Sequence, residues 1–199
     1  MNKRQFLGAA ALAGAAPAFA APGAAPAFAA PGAAPSGPAL LTVTGNIDRT
    51  NRGPFDPALD QMMHKQKISF ERAFAFDYAA LERLPAATVR PTLEYDGKVH
   101  SLRGPLLLDV LAAAGARLPD TARLVLRAVD GYAVTISVEK ARRQRFMVAL
   151  QLDGKPMPLG GLGPLWAVID ADRVAELASK PVEQRFGECP WALYHIEVQ

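Results

Sequence analysis

Cysteine is nearly absent from this 199-residue sequence, in which Cys189 is the only one. One cysteine cannot form a disulfide within the chain, so we expect the hydrophobic core alone to hold the fold together. A lone thiol can be a metal ligand, a nucleophile or a small buried apolar group. Glu188 would raise the pKa of the thiol if it lay close, because two negative charges repel each other. We therefore favour an inert cysteine.

Histidine is scarce as well, with only His64, His100 and His195. None belongs to a His-x-x-x-His pair and no Cys-x-x-Cys pair is present, which argues against a closed zinc site. Strand alternation could leave His100 and His195 exposed. We interpret all three as surface histidines or as histidines with satisfied ring nitrogens, and we predict no metal ligand.

Signature motifs of several enzyme classes are missing. No Gly-x-Ser-x-Gly segment occurs, which disfavours a serine hydrolase of that type. The glycine-rich residues 159–164 (LGGLGP) could offer backbone N–H groups to a phosphate. However, Pro164 and a strand follow them where a P-loop or a dinucleotide fingerprint requires a helix. We interpret the segment as a turn between strands.

The chain also lacks an excess of one charge. Lysine and arginine number 22 against 19 acidic residues, which gives a formal net charge of +3. Without Lys3 and Arg4, in a segment that we expect to be removed, 20 basic residues face 19 acidic ones. Such a balance gives no indication of binding to nucleic acid or to an anionic membrane surface.

The N-terminus is typical of a bacterial export signal. Basic and polar residues 2–5 precede the apolar residues 6–16, and the small-x-small triplet Ala18-Phe19-Ala20 follows. The apolar run is too short for a membrane span, which needs ~20 residues. Residues 3–7 (KRQFL) resemble a weakened twin-arginine signal. We predict a signal peptide over residues 1–20, a periplasmic location, and no transmembrane segment in the mature protein.

An alanine- and proline-rich repeat follows the signal. The segments APGAAPAFA (residues 21–29) and APGAAPSGP (residues 30–38) have neither helical nor strand periodicity. Such a composition buries little surface and predicts a linker over residues 21–39. A second Ala-Phe-Ala triplet leaves open whether cleavage follows Ala20 or Ala29.

Residues 40–199 have the length and patterning of one domain. We predict an α+β fold with a mixed, largely antiparallel sheet and a few short helices. Helices are predicted near residues 57–65, after Asp77 as N-cap, and over residues 104–116, with Pro105 in the first turn and Gly115 as the stop. Strands are predicted over residues 40–47, 88–95, 124–129, 132–138, 146–152, 165–169 and 191–198. Two-residue turns are predicted at residues 96–97 and 153–154, and Trp166 and Trp191 are expected to be buried.

A basic cluster follows the segment DGYAVTISVEKA (residues 130–141). Apolar residues alternate along this segment with a period of two, which predicts a strand. Arg142, Arg143 and Arg145 come directly after it, and Arg185 lies further along the chain. Arginine forks bind phosphates and other oxyanions well, so these residues are candidates for an anion site.

Four segments together resemble one protein family. DGYAVTISVEKA, LQLDGKPMP (residues 150–158), GPLWAV (residues 163–168) and WALYHIEV (residues 191–198) resemble, in order and approximate spacing, the molybdopterin-binding domain of sulfite oxidase-type oxidoreductases. The resemblance covers about residues 40–199 and is most specific from Gly104 onward. It implies a compact single domain with a curved sheet, and redox or oxygen-atom transfer at a molybdenum held by a pterin dithiolene.

The sequence departs from that family at two places. The family's molybdenum-ligating cysteine lies in a loop after a strand that should match residues 88–95, where this chain has Glu94-Tyr95-Asp96-Gly97. Cys189 does not replace that ligand by position. Cofactor-binding members carry basic residues just before the tryptophan of the last strand, whereas this chain has Glu188 there, and a glutamate near a phosphate weakens binding.

Two functions follow from these observations. The first is an exported binding module that has lost molybdenum chemistry and binds a small anionic or pterin-like ligand, or a periplasmic protein. The second is a divergent molybdopterin-dependent oxidoreductase with a thiolate-free metal site, so molybdopterin remains a possible cofactor by resemblance. In either case, the candidate cofactor-binding residues are Asp130, Tyr132, Arg142, Arg143 and Arg185.

Overall fold

The computed structural model describes residues 32–199, so the predicted signal peptide and most of the predicted linker lie outside the described residues. Strands in this part are β1 (Leu41–Gly45), β2 (Ala73–Phe76), β3 (Ala86–Val89), β4 (Leu102–Pro105), β5 (Arg123–Ala128), β6 (Ala133–Ser137), β7 (Met147–Ala149), β8 (Gln151–Leu152), β9 (Lys155–Pro156), β10 (Trp166–Val168) and β11 (Leu193–Val198). The helices are α1 (Gln61–Lys65), α2 (Tyr78–Glu82), α3 (Leu107–Ala113), α4 (Val138–Arg143) and α5 (Ala175–Ala178), with 3₁₀ turns at Ala171–Arg173 and Val182–Gln184.

The main sheet has the strand order β2-β1-β11-β5-β6. Strands β1 and β11 pair in parallel, which joins the two ends of the domain, and the other pairs in this sheet are antiparallel. A four-stranded sheet (β3-β4-β8-β9) and the pair β10-β7 complete the fold. The predicted single α+β domain with largely antiparallel, curved sheets and short helices is thus confirmed.

One continuous apolar core holds these layers together. Alternate residues of β1 and β5, such as Leu41, Val43, Leu124 and Leu126, are fully buried. Strands β7 and β10 are buried along their whole length, and Trp166 is completely inaccessible. Burial of this apolar surface is the main stabilising force in a chain without a disulfide.

The helix predicted over residues 104–116 is present, although it begins later than expected. Pro105 is the last residue of β4, and α3 starts at Leu107. Gly115 follows the end of the helix with a φ of +73°. Glycine adopts this left-handed conformation without a Cβ clash, so its predicted role as the stop is confirmed.

The strand predicted up to Val138 ends one residue earlier, and Arg142 and Arg143 of the basic cluster belong to a helix. Ser137 is the N-cap of α4, and its hydroxyl accepts a hydrogen bond from the N–H of Lys140 at 3.0 Å. The sequence does not reveal this cap, because strand alternation continues through Val138. As a result, Arg142 and Arg143 project from a helical turn at different angles.

The prediction of a two-residue turn at residues 96–97 is wrong, because the loop between the two paired segments is longer. Strand β3 ends at Val89, and Thr92 pairs with Val99 in an isolated bridge. A backbone hydrogen bond of 2.9 Å from Leu93 N–H to the Lys98 carbonyl closes a four-residue loop over residues 94–97. In contrast, the two-residue turn at Asp153-Gly154 is confirmed, because it joins β8 to β9 and both residues have positive φ.

The last residues of the predicted linker are attached to the domain. The Asp77 carboxylate accepts hydrogen bonds from the N–H of Ser36 (2.9 Å), the hydroxyl of Ser36 (3.1 Å) and the N–H of Gly37 (2.9 Å). It also caps α2, as predicted, by accepting from Ala80 N–H at 2.7 Å. These bonds, led by those from Gly37 and Ala80, lower the pKa of Asp77 to about 2.

Replacing Asp77 with alanine should destabilise the domain, because one change removes both the helix cap and the attachment of residues 36–37. We expect the melting temperature to fall by roughly 5 °C, with faster proteolysis near Gly37. Asp77→Asn should lie between wild type and alanine, since its amide oxygen still accepts hydrogen bonds. A melting curve of Asp77→Ala that superimposes on the wild-type curve would show that these contacts do not contribute to stability.

Across residues 32–199, no helix has both the length and the apolar character needed to cross a lipid bilayer.

Candidate functional site

Three segments that the sequence singled out meet at one cavity of about 300 Å³. They are the loop 94–97, the turn 130–132 between β5 and β6, and the residues that precede β11. The cavity contains three carboxylates and four aromatic side chains. Its acidic and aromatic lining residues are Glu94, Asp130, Glu183, Tyr95, Tyr132, Phe186 and Trp191. We call it the acidic cavity.

The turn 130–132 has a backbone that fixes its side chains. Gly131 has a φ of +94°, which a residue with a Cβ rarely adopts. The Asp130 carboxylate accepts the Tyr132 N–H at 2.9 Å. The Tyr132 hydroxyl donates to the Gly187 carbonyl. This tyrosine therefore connects the turn to the segment before β11, on the opposite side of the cavity.

Trp166 contacts the segment before β11 from the core side. Its indole N–H donates to the Cys189 carbonyl at 2.9 Å, and its ring lies 5.9 Å from that of Phe186 and 6.3 Å from that of Tyr95. The buried tryptophan thus supports two walls of the cavity. The expectation that Trp166 is buried is confirmed.

Trp191 contradicts the same expectation. It is 38% exposed and lines the cavity, since β11 begins only at Leu193. Ala192 has a φ of +49°, and the register of β11 against β5 shifts between Leu193 and His195. This local irregularity removes Trp191 from the regular alternation of the strand and leaves it at the surface.

Cys189 lines the same cavity, but its residue is only 4% exposed. Burial raises the pKa of its thiol, and the charge of Glu188 adds to this effect. The thiol is therefore protonated at neutral pH, in agreement with the interpretation of an inert cysteine. Burial, followed by the charge of Glu94, likewise raises the pKa of Tyr95, so its phenol is neutral.

A second cavity of about 300 Å³ lies on the other side of Gly187, which lines both. It contains Lys140, Arg143, Lys180 and Arg185, together with Glu176 and Glu188. We call it the basic cavity. Lys140 is paired with Glu188, and Arg143 with Glu139. Arg185 bonds to Asp172 at 2.7 Å and to two backbone carbonyls.

The predicted cofactor-binding residues are thus divided among three places. Asp130 and Tyr132 lie in the acidic cavity, and Arg143 and Arg185 lie in the basic cavity. Arg142 lines neither and points to Asp120, at 3.3 Å. Arg145 lines a further cavity and has a φ of +54°.

Several lining residues were not identified from the sequence. In the sequence, Glu94 and Tyr95 stand out only because they occupy the place of a missing ligand. Glu183 and Lys180 carry no motif, since they come from a segment of short turns whose direction only the packing determines. Lys140 is brought to the basic cavity by α4, which was not predicted.

The histidines lie away from both cavities. His195 is fully buried; its Nε2 lies 2.9 Å from the Thr44 hydroxyl, and its Nδ1 has no partner among the described residues. The interpretation of His195 as a surface histidine or one with satisfied ring nitrogens is therefore wrong. His100 lies between Asp153 (2.7 Å) and Asp96 (3.0 Å), which raise its pKa. No cluster of three histidine, cysteine or acidic side chains within residues 32–199 is arranged to hold a metal ion.

Comparison with known proteins finds similarity among solved structures. No protein-family model and no curated protein matches the sequence. Among solved structures, the chain is similar to the sulfane dehydrogenase SoxCD from Paracoccus pantotrophus, with 14% sequence identity and a TM-score of 0.51. The match covers 79% of this chain but only 37% of that one. The domain therefore has a distant molybdopterin-oxidoreductase-like fold.

The acidic cavity does not fit a molybdenum cofactor. The family resemblance would place the cofactor where the three segments meet. A pterin phosphate and a dithiolene are anionic, yet this cavity contains three carboxylates and no lysine or arginine. The loop 94–97 has no thiol, and the Cys189 thiol is buried and protonated.

Proposed function

We propose that this domain is a non-catalytic binding module built on a molybdopterin-oxidoreductase-like fold. The acidic cavity carries this proposal. The position at which the family would hold its cofactor is instead lined by carboxylates, aromatic rings and a protonated thiol. Like charges this close to an anionic cofactor cost binding energy, particularly in a partly desolvated site.

Within this proposal, the basic cavity is the site for a small anionic or pterin-like ligand. Lys180 has no ion-pair partner within residues 32–199, whereas the other basic residues of the cavity are paired. An incoming oxyanion would compete with Glu188, Glu139 and Asp172 for these groups. Binding through this cavity should therefore be weak and sensitive to salt.

The location of the module is part of the proposal. Residues 1–20 would direct export to the periplasm, and the linker would leave residues 40–199 free to meet a small ligand or a periplasmic protein.

The proposal predicts that the protein, exported by its own signal and purified natively, contains far less than one molybdenum per chain. Mass-spectrometric metal analysis is the measurement. The control is Cys189→Ser, which removes the only thiolate ligand that the chain can supply. Both proteins should give the same low value.

Two results would contradict the proposal. One molybdenum per chain in both proteins would establish the alternative function, a divergent oxidoreductase with a thiolate-free site. One molybdenum that is lost in Cys189→Ser would show that Cys189 is the ligand after all. The fold shared with SoxCD is the observation that keeps this alternative open.

A further inference from the structure

We infer that the acidic cavity binds a small organic cation with an ammonium group. This inference goes beyond the anion site of the proposed function, and it rests only on the part of that proposal in which the acidic cavity holds no molybdenum cofactor. It concerns the cavity that is lined by Glu94, Asp130 and Glu183, not the basic cavity on the other side of Gly187.

The charge of the cavity is the first observation. Glu94, Asp130 and Glu183 make no ion pair within residues 32–199, and no lysine or arginine lines the cavity. By comparison, Glu188, which lines the neighbouring basic cavity, is paired with a lysine. A concave surface lined by one sign of charge focuses the electrostatic potential and attracts the opposite charge.

The exposed aromatic residues are an independent second observation. Of the described residues, the large aromatic side chains that are conspicuously exposed are Tyr95 (53%), Tyr132 (48%) and Trp191 (38%). They come from three separate segments, and all three line this one cavity. A cluster of exposed apolar side chains at one place usually marks a binding site. Aromatic rings also attract cations through their negative faces.

The spacing of the carboxylates selects the class of cation. No three acidic side chains of the described residues converge closely enough to hold a metal ion, so the three charges surround the cavity without forming a coordination sphere. A volume of about 300 Å³ accommodates a small organic molecule. An ammonium group with apolar substituents matches both features, since the charge meets the carboxylates and the substituents meet the rings.

The inference can be tested by titrating the full exported chain with choline, using calorimetry and tryptophan fluorescence, with Trp191→Leu showing which part of the signal comes from Trp191. The neutral isostere 3,3-dimethyl-1-butanol has the same shape without the charge, and inorganic phosphate tests the opposite charge. We expect saturable binding of choline that weakens with added salt, and no detectable change with the isostere. Phosphate should leave the Trp191 signal unchanged.

Paired variants connect the binding to the cavity. Glu94→Gln combined with Glu183→Gln should raise the Kd for choline by about tenfold, which corresponds to ~1.4 kcal/mol. The matched control is Glu71→Gln combined with Glu82→Gln, which changes the net charge equally at two exposed residues that line neither cavity. The control should bind choline as wild type does. Trp191→Leu should weaken binding further, and circular dichroism should show that every variant is folded.

Three outcomes would overturn the inference: no choline binding, equal binding of the neutral isostere, or an equal loss of binding in the charge-matched control. Each leaves the proposed function standing, because the metal analysis tests that function separately. Conversely, one molybdenum per chain would refute the proposed function while the choline titration still reported on the cavity.

Discussion

Truncation of Trp166 to alanine should destabilise the domain by about 4 kcal/mol, since buried tryptophans typically contribute ~3–5 kcal/mol. The side chain is completely inaccessible and packs against Phe186 and Tyr95. Its loss would also leave the Cys189 carbonyl without its indole donor. Domains of this size are stable by only ~5–15 kcal/mol in total, so the effect is large. Urea unfolding followed by circular dichroism measures it.

Trp191→Ala is the matched control, because the same atoms are removed from a partly exposed side chain. With 38% of its surface exposed and an open cavity beside it, Trp191 should contribute about half as much, ~2 kcal/mol. Equal losses in the two variants would contradict the placement of Trp191 at the surface. A smaller loss for Trp166 than for Trp191 would contradict the arrangement of the core.

Much of the fold could be predicted from local patterns. Alternating apolar residues identified β5, β6 and β11, and Gly115 identified the end of α3. The parallel pairing of β1 with β11 could not be predicted, because it joins strands at opposite ends of the domain. Helix α4 was missed, since Val138 continues the strand alternation while Ser137 already caps the helix. At such a boundary the two local signals compete, and tertiary packing decides between them.

The site was less predictable than the fold. Asp130 and Tyr132 were identified through the resemblance, and both line the acidic cavity. The arginines were selected by residue type alone, and the structure distributes them between a helix and a turn segment that face different partners. The acidic character of the cavity arises from residues 94, 130 and 183, which no sequence spacing relates. Only the three-dimensional structure brings them together.

His195 should make the domain sensitive to acid. Burial, followed by the charges of Arg127 and Arg52, lowers its pKa from 6.5 to about 3. The folded state therefore keeps the ring neutral where the unfolded chain takes up a proton. Since the unfolded state binds more protons between these two values, stability falls as the pH decreases from about 6.5 towards 3. The effect is expected in addition to any general acid denaturation.

We expect the free energy of unfolding to fall by about 2 kcal/mol between pH 6 and pH 4.5 from this histidine alone. Other shifted groups act outside this range. His100, whose pKa is raised in the folded state, contributes its full stabilisation below pH 6.5 and loses it only at higher pH. Asp77, whose pKa is lowered, affects stability only below about pH 4. His195→Gln removes the titrating ring, so its stability should be lower at pH 7 but should change less between pH 6 and pH 4.5. Urea unfolding of both proteins across that range measures the two slopes. Identical slopes would show that His195 is not held neutral in the folded domain, and that the buried ring beside Thr44 has access to water or to an acceptor for its second nitrogen.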